Sequence, residues 1–175
     1  MKDKLGQYLL NLRVKIILPH IEGYYLDLGC GTNEITKAYS GKGIGVDVYP
    51  WEGVNQVVED TSKLPFDDKT FDTISVIAAL NHIPNREEVV QEINRILKDD
   101  GKLIITMIPP RFSRVWHFLR KPWDADQYER GMKEGEVYGL SIKEIKHILS
   151  ETGFEIMFKK KFMFGINNLL LIKKI

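Results

Sequence analysis

The sequence predicts an α/β fold: a three-layer, Rossmann-like sandwich around a mostly parallel seven-stranded sheet with an antiparallel edge strand. Three observations carry this expectation. Short apolar runs alternate with amphipathic helical stretches over residues 24–108, the pattern of parallel strands joined by crossovers. The first run, YYLDL, breaks at once into Gly29-Cys30-Gly31, which is the order strand, tight glycine turn, helix start. The last two runs, residues 154–162 and 168–175, meet at a turn around residues 165–167 and read as a hairpin at the sheet edge.

Each element has a local reason. Leu5, Leu9, Leu12 and Ile16 recur at helical spacing, so residues 4–18 form a helix that ends near Pro19. Residues 24–28 are the first strand, and the short helix at 33–39 follows the glycine turn. Residues 43–48 are the second strand, ending in Asp47, and 55–59 a brief third. The polar segment DTSKLPFDDKT connects to a fourth strand, FDTISVI. Val89, Ile93, Ile96 and Leu97 make the apolar stripe of a helix over 85–97, with Glu87 and Glu88 in its first turn. A turn at 99–101 leads into a fifth strand over 102–108. Ser141 with Glu144 three residues later is a capping box, and Ile145, Ile148 and Leu149 face its helix inward.

Composition narrows the function classes. The 175 residues, 43 % of them hydrophobic, suit one domain spanning 1–175. Twenty-five basic against 24 acidic residues leave a net charge of +1, which gives no strong nucleic-acid signal. A single cysteine allows no internal disulfide and fits a reducing compartment. No apolar run approaches membrane-spanning length and the N-terminus lacks a signal-peptide core, so the expectation is a cytoplasmic protein. The four histidines show no metal-ligand spacing, so no metal is expected.

The glycine turn predicts a nucleotide-like ligand, its backbone N–H groups brought close by residues without side chains. Asp47 ends the second strand 18 residues after Gly29, where a carboxylate accepts from both hydroxyls of a ribose. Dinucleotides need G-x-G-x-x-G, and here Glu34 stands in the last position, repulsive beside a pyrophosphate. Asp27, just before the turn, suits a cation. S-adenosylmethionine, with a sulfonium and an ammonium, meets both conditions.

At LDLGCGTN (26–33), GVDVYP (45–50), residues 59–85 and EINRILKDDGKLIITMIP (92–109), the chain resembles class I S-adenosylmethionine-dependent methyltransferases, in the style of the ubiquinone/menaquinone-biosynthesis group. It departs at Asn33, where that family usually has a third glycine. The resemblance implies that Asp27, Gly29, Cys30 and Gly31 surround the amino-acid end of the cofactor and that Asp47 holds its ribose. It also implies that Asp60 accepts from the adenine amine, beside Thr61 and Ser62; the residues themselves equally allow Asp60 to cap the next turn. Val48 and Ala79 complete the expected cofactor-binding set. His82, after the fourth strand, is either a general base or a residue that lines the pocket. The implied reaction is in-line transfer of the methyl group to a small-molecule acceptor, leaving S-adenosylhomocysteine. A non-catalytic S-adenosylmethionine-binding module, or a partner-dependent methyltransferase subunit, is the alternative.

Residues 110–139 break the alternation and read as a cap-like insertion. Trp116, Trp123, Tyr128 and Tyr138 there stack on a planar acceptor, and Arg111, Arg114, Arg120 and Lys121 meet an anionic group, or the same residues form a self-packed lid. The expected assembly is a monomer or a homodimer.

Overall fold

The computed structural model describes residues 4–113 and 134–175, with burial described from residue 6 onward. The elements run in chain order as α1 (Lys4–Ile17), β1 (Tyr25–Leu28), α2 (Glu34–Ala38), β2 (Gly43–Asp47), β3 (Gln56–Val57), β4 (Phe71–Ile77), α3 (Arg86–Ile96), β5 (Leu97–Met107), α4 (Ile142–Glu151), β6 (Phe154–Phe162) and β7 (Asn167–Lys174). Short 3-10 turns cover Leu18–His20 and Leu80–His82.

The seven strands form one sheet in the order β3-β2-β1-β4-β5-β7-β6. β1 through β5 pair in parallel, and β7 lies antiparallel against both β5 and β6. The hairpin therefore closes one side of the sheet, with its antiparallel strand one place in from the edge. β5 begins earlier than the sequence suggests because Leu97 pairs with Phe71 before a register shift, and regular pairing resumes at Lys102. The strand order reverses between β1 and β4, so a crevice opens at their carboxyl ends, where ligands bind in open α/β sheets.

Alternation along the strands sorts the two faces. Leu26, Leu28, Ile74, Val76, Leu103 and Ile105 face α3 and α4, where Val89, Ile93, Ile96, Ile145 and Leu149 meet them. Tyr25, Ile104 and Leu169 face the other way, under Ile17 and Ile35. Each such fully buried aliphatic side chain contributes about 1.5–3 kcal/mol. Ser141 and Glu144 form the expected reciprocal cap at the start of α4, which contributes about 1 kcal/mol. No helix among the described residues is long and apolar enough to cross a membrane.

Most of the expected cap lies outside the described residues, including Arg114, Trp116, Arg120, Lys121, Trp123 and Tyr128. Residues 110–113 are helical, and the chain returns at 134 beside the carboxyl end of β4.

Candidate functional site

Gly29 and Gly31 both take left-handed dihedrals, with φ of 72° and 53°. A Cβ at Gly29 would stand 2.6 Å from Cβ of Ala79, so the loops after β1 and β4 touch through the missing side chain. Around Gly31 there is open space. The N–H groups of this turn do not point at a ligand as the sequence suggests. Gly29 and Cys30 donate to the carbonyl of Val46, at 2.8 and 3.2 Å, and Gly31 donates to Oδ2 of Asp47 at 2.9 Å. Parallel pairing of β1 with β2 carries the turn against the end of β2, where those acceptors lie.

Asp27 is buried, 2 % exposed, on the α1 face of β1. The β1–β4 register sets it opposite Ser75, whose hydroxyl donates to Oδ1 at 2.5 Å. The Tyr25 hydroxyl meets the same Ser75 oxygen at 2.6 Å. Burial pushes the Asp27 carboxyl up to about 7; hydrogen bonds from Ser75 and Tyr25 oppose the rise, the charge of Asp47 adds to it, and Arg13 of α1 opposes it. Arg13 is in turn pushed down by burial, against the attraction of Asp27, and its Nε is buried without a hydrogen-bond partner. The Cys30 thiol is pushed well up, first by burial and then by Asp27 and Asp47. It stays protonated and packs in the turn.

Asp47, 8 % exposed, accepts from Gly31 N–H through one carboxylate oxygen and from Tyr49 N–H, at 3.0 Å, through the other. Each oxygen keeps a further lone pair. Val48 beside it is exposed.

Asn33 explains its own departure from glycine. Its φ is 63°, a left-handed conformation that asparagine tolerates better than other side chains. Its amide donates to the carbonyl of Gly53 at 2.9 Å and to Oδ1 of Asn55 at 2.7 Å, and Asn55 Oδ1 also accepts from Gly45 N–H at 2.7 Å. Asn33 does not cap α2 through its side chain. It ties the glycine turn to the segment before β3.

Asp60 accepts from both the N–H and the hydroxyl of Ser62, at 2.8 and 2.7 Å, which holds its carboxyl below the ordinary range. It thus caps its own turn, with Thr61 buried next to it.

Ala78, just after β4, has a φ of 52°, a strained conformation for alanine that costs roughly 1–2 kcal/mol. The chain then turns through the 3-10 segment to His82, whose N–H donates to the Ala79 carbonyl at 2.8 Å. Nδ1 of His82 lies 3.3 Å from Oε2 of Glu136, a carboxylate whose side chain is 1 % exposed against 21 % for the imidazole. Val137 N–H donates to the Asn81 carbonyl at 2.9 Å and the Asn81 amide donates back at 3.1 Å. Arg86 donates to the carbonyls of Leu80, Asn81 and Gly135.

The structure brings Asp27, Gly29, Cys30, Gly31, Asp47 and Ala79 together, with His82 one turn beyond Ala79 and the Asp60–Ser62 turn separate. Sequence reasoning missed Tyr25 and Ser75, although a serine inside the apolar run FDTISVI is a signal. It also missed Glu136, for which residues 134–139 carry no local sign.

A methyltransferase-domain family matches residues 26–105. An uncharacterised protein of Methanocaldococcus jannaschii is 30 % identical over 194 residues, covering 94 % of this chain and 74 % of that protein. A demethylmenaquinone methyltransferase of Thermotoga maritima is 25 % identical over 179 residues, 85 % of this chain and 77 % of its own. Among solved structures, an S-adenosylmethionine-dependent methyltransferase of Thermotoga maritima superposes with a TM-score of 0.69 at 23 % identity, over 96 % of this chain and 89 % of that one. That last likeness shows the shared fold.

Proposed function

The chain belongs to the class I S-adenosylmethionine-dependent methyltransferases, and we propose that it methylates a small-molecule acceptor by in-line displacement. The observation that carries the proposal is a pair of buried carboxylates, Asp27 and Asp47, beside a glycine turn whose N–H donors are already bonded within the protein. A phosphate needs those donors free. A sulfonium and an ammonium need the opposite, and a bound cation offsets the cost of charging the buried Asp27 beside Asp47. The residues present therefore fit S-adenosylmethionine.

Asp47 takes the ribose hydroxyls on the lone pairs left by Gly31 and Tyr49, and Asp27 supplies the counter-charge beneath the amino-acid end. The Asp60–Ser62 turn receives the adenine, its second carboxylate oxygen accepting from the exocyclic amine. Val48 and Ala79 form walls, and the open space over Gly31 leaves room for close approach. Bound S-adenosylmethionine supplies a methyl group already activated by positive sulfur. The chain aligns the acceptor, excludes water and receives a proton at His82. That the Thermotoga relative is named for demethylmenaquinone supports a small-molecule acceptor.

Calorimetry with S-adenosylhomocysteine tests the assignment. Asp47→Ala removes charged acceptors that contribute about 1.5–3 kcal/mol, so affinity falls tenfold or more. Unchanged affinity, or tighter binding of NAD than of S-adenosylmethionine, overturns the reading.

A further inference from the structure

Residues 134–138 form the return limb from the expected cap, and three separate contacts seat them on the loop after β4. Asn81 and Val137 exchange two hydrogen bonds. Arg86 of α3 grips the Gly135 carbonyl at 2.8 Å. Gly135, with φ of 86°, passes so close over Pro84 that a Cβ would stand 2.8 Å from the proline ring. This seating puts a nearly inaccessible carboxylate, Glu136, against one nitrogen of a half-buried imidazole.

We propose that Glu136 is the positioning residue for His82: it accepts the Nδ1 proton and so leaves Nε2 unprotonated as the base of the methyl-transfer site. The proposal rests on the methyltransferase reading above and narrows the acceptor to one whose attacking atom bears a proton, a hydroxyl, phenol or amine. A carboxylate accepts only, so the neutral ring beside it carries its hydrogen on Nδ1. In the transfer, the acceptor oxygen or nitrogen forms its bond to the methyl carbon while the carbon–sulfur bond breaks with its electron pair to sulfur. The acceptor's proton passes to Nε2, and Glu136 stabilises the resulting imidazolium. Acceptors without a proton to lose, such as thioethers or tertiary amines, leave the pair idle. Among the described residues, charged groups near the loop include, besides Glu136, Arg86 from α3 and, through Arg86, Glu144 from α4.

Carbethoxylation of His82 by diethylpyrocarbonate, followed by peptide mass spectrometry, reports the free Nε2 without needing the acceptor. In the wild-type protein, saturating S-adenosylhomocysteine slows modification by about fivefold or more, because a pocket buries most of its ligand. Glu136→Gln removes the charged acceptor of the Nδ1 proton, so the Nδ1–H tautomer that imidazole 15N shifts report for the neutral ring of the wild type gives way to a mixture. Should that variant lose its cooperative melt, Glu136→Asp lengthens the contact and mixes the tautomers less. A tautomer unchanged in the folded variant, or a carbethoxylation rate that S-adenosylhomocysteine leaves unchanged, overturns the proposal. Calorimetry on the same samples separates the failures: absent S-adenosylhomocysteine binding by the wild type overturns the cofactor reading, whereas normal binding with an unresponsive His82 overturns only the pair.

Discussion

In the glycine turn after β1, the polar side-chain contacts join residues close in the chain: Gly31 to Asp47, Asn33 to Gly53 and Asn55. At the carboxyl end of β4, His82 is held by Glu136 and Asn81 by Val137, partners 54 and 56 residues away. The first half is a by-product of folding one β-turn-α-β unit. The second joins the loop after β4 to residues that follow β5 in the chain. The proposed cofactor and acceptor sides thus rest on contacts of different range, and the two are open to separate disruption.

The largest expected effect falls on the short-range half. Gly29→Val places a β-branched side chain at a left-handed φ and against Ala79, which costs about 3 kcal/mol or more. Chemical denaturation reads the loss, and a stability near that of the wild type would show that this half is looser than its contacts imply. Next comes Arg86→Ala, which strips three carbonyls of their charged donor, at a cost of about 2 kcal/mol. Hydrogen exchange should quicken at Val137 N–H while Gly31 N–H keeps its protection. Parallel loss at both amides would mean that the halves form one unit.

The smallest effect per pH unit concerns the proton on Asp27. Its folded carboxyl titrates near 7 against an ordinary value of 3.8. Between those values the folded chain holds a proton that the unfolded chain has released, so apo stability falls as pH rises through that window. A cation prefers the carboxylate, so S-adenosylmethionine affinity rises as pH climbs toward 7, by at most about tenfold per unit, and levels off above it. Asp27→Asn should flatten both trends, measured by melts and by calorimetry from pH 5 to 8. Persistent opposite slopes in the variant would assign them to another group.

Much of the site was legible because it is local. Glycine spacing, Asp47 at a strand end and the missing glycine at Glu34 sit within 20 residues and act through backbone geometry. The capping box at Ser141 was legible for the same reason. The direction of the turn's N–H groups was not, since it depends on how far β2 runs past β1. Likewise, Asp60 shows as a turn cap only once Ser62 is seen folded back on it.

By itself the sequence determined the alternation of strands and helices, the closing hairpin and the positions of the carboxylates around the glycine turn, because periodicity and dihedral preference are properties of neighbouring residues. Only the tertiary structure decided that Asp27 shares a hydrogen bond with Ser75 and that Glu136 meets His82. Parallel register and a distant chain return set those pairings; the serine in FDTISVI marks a buried polar contact but does not name its partner.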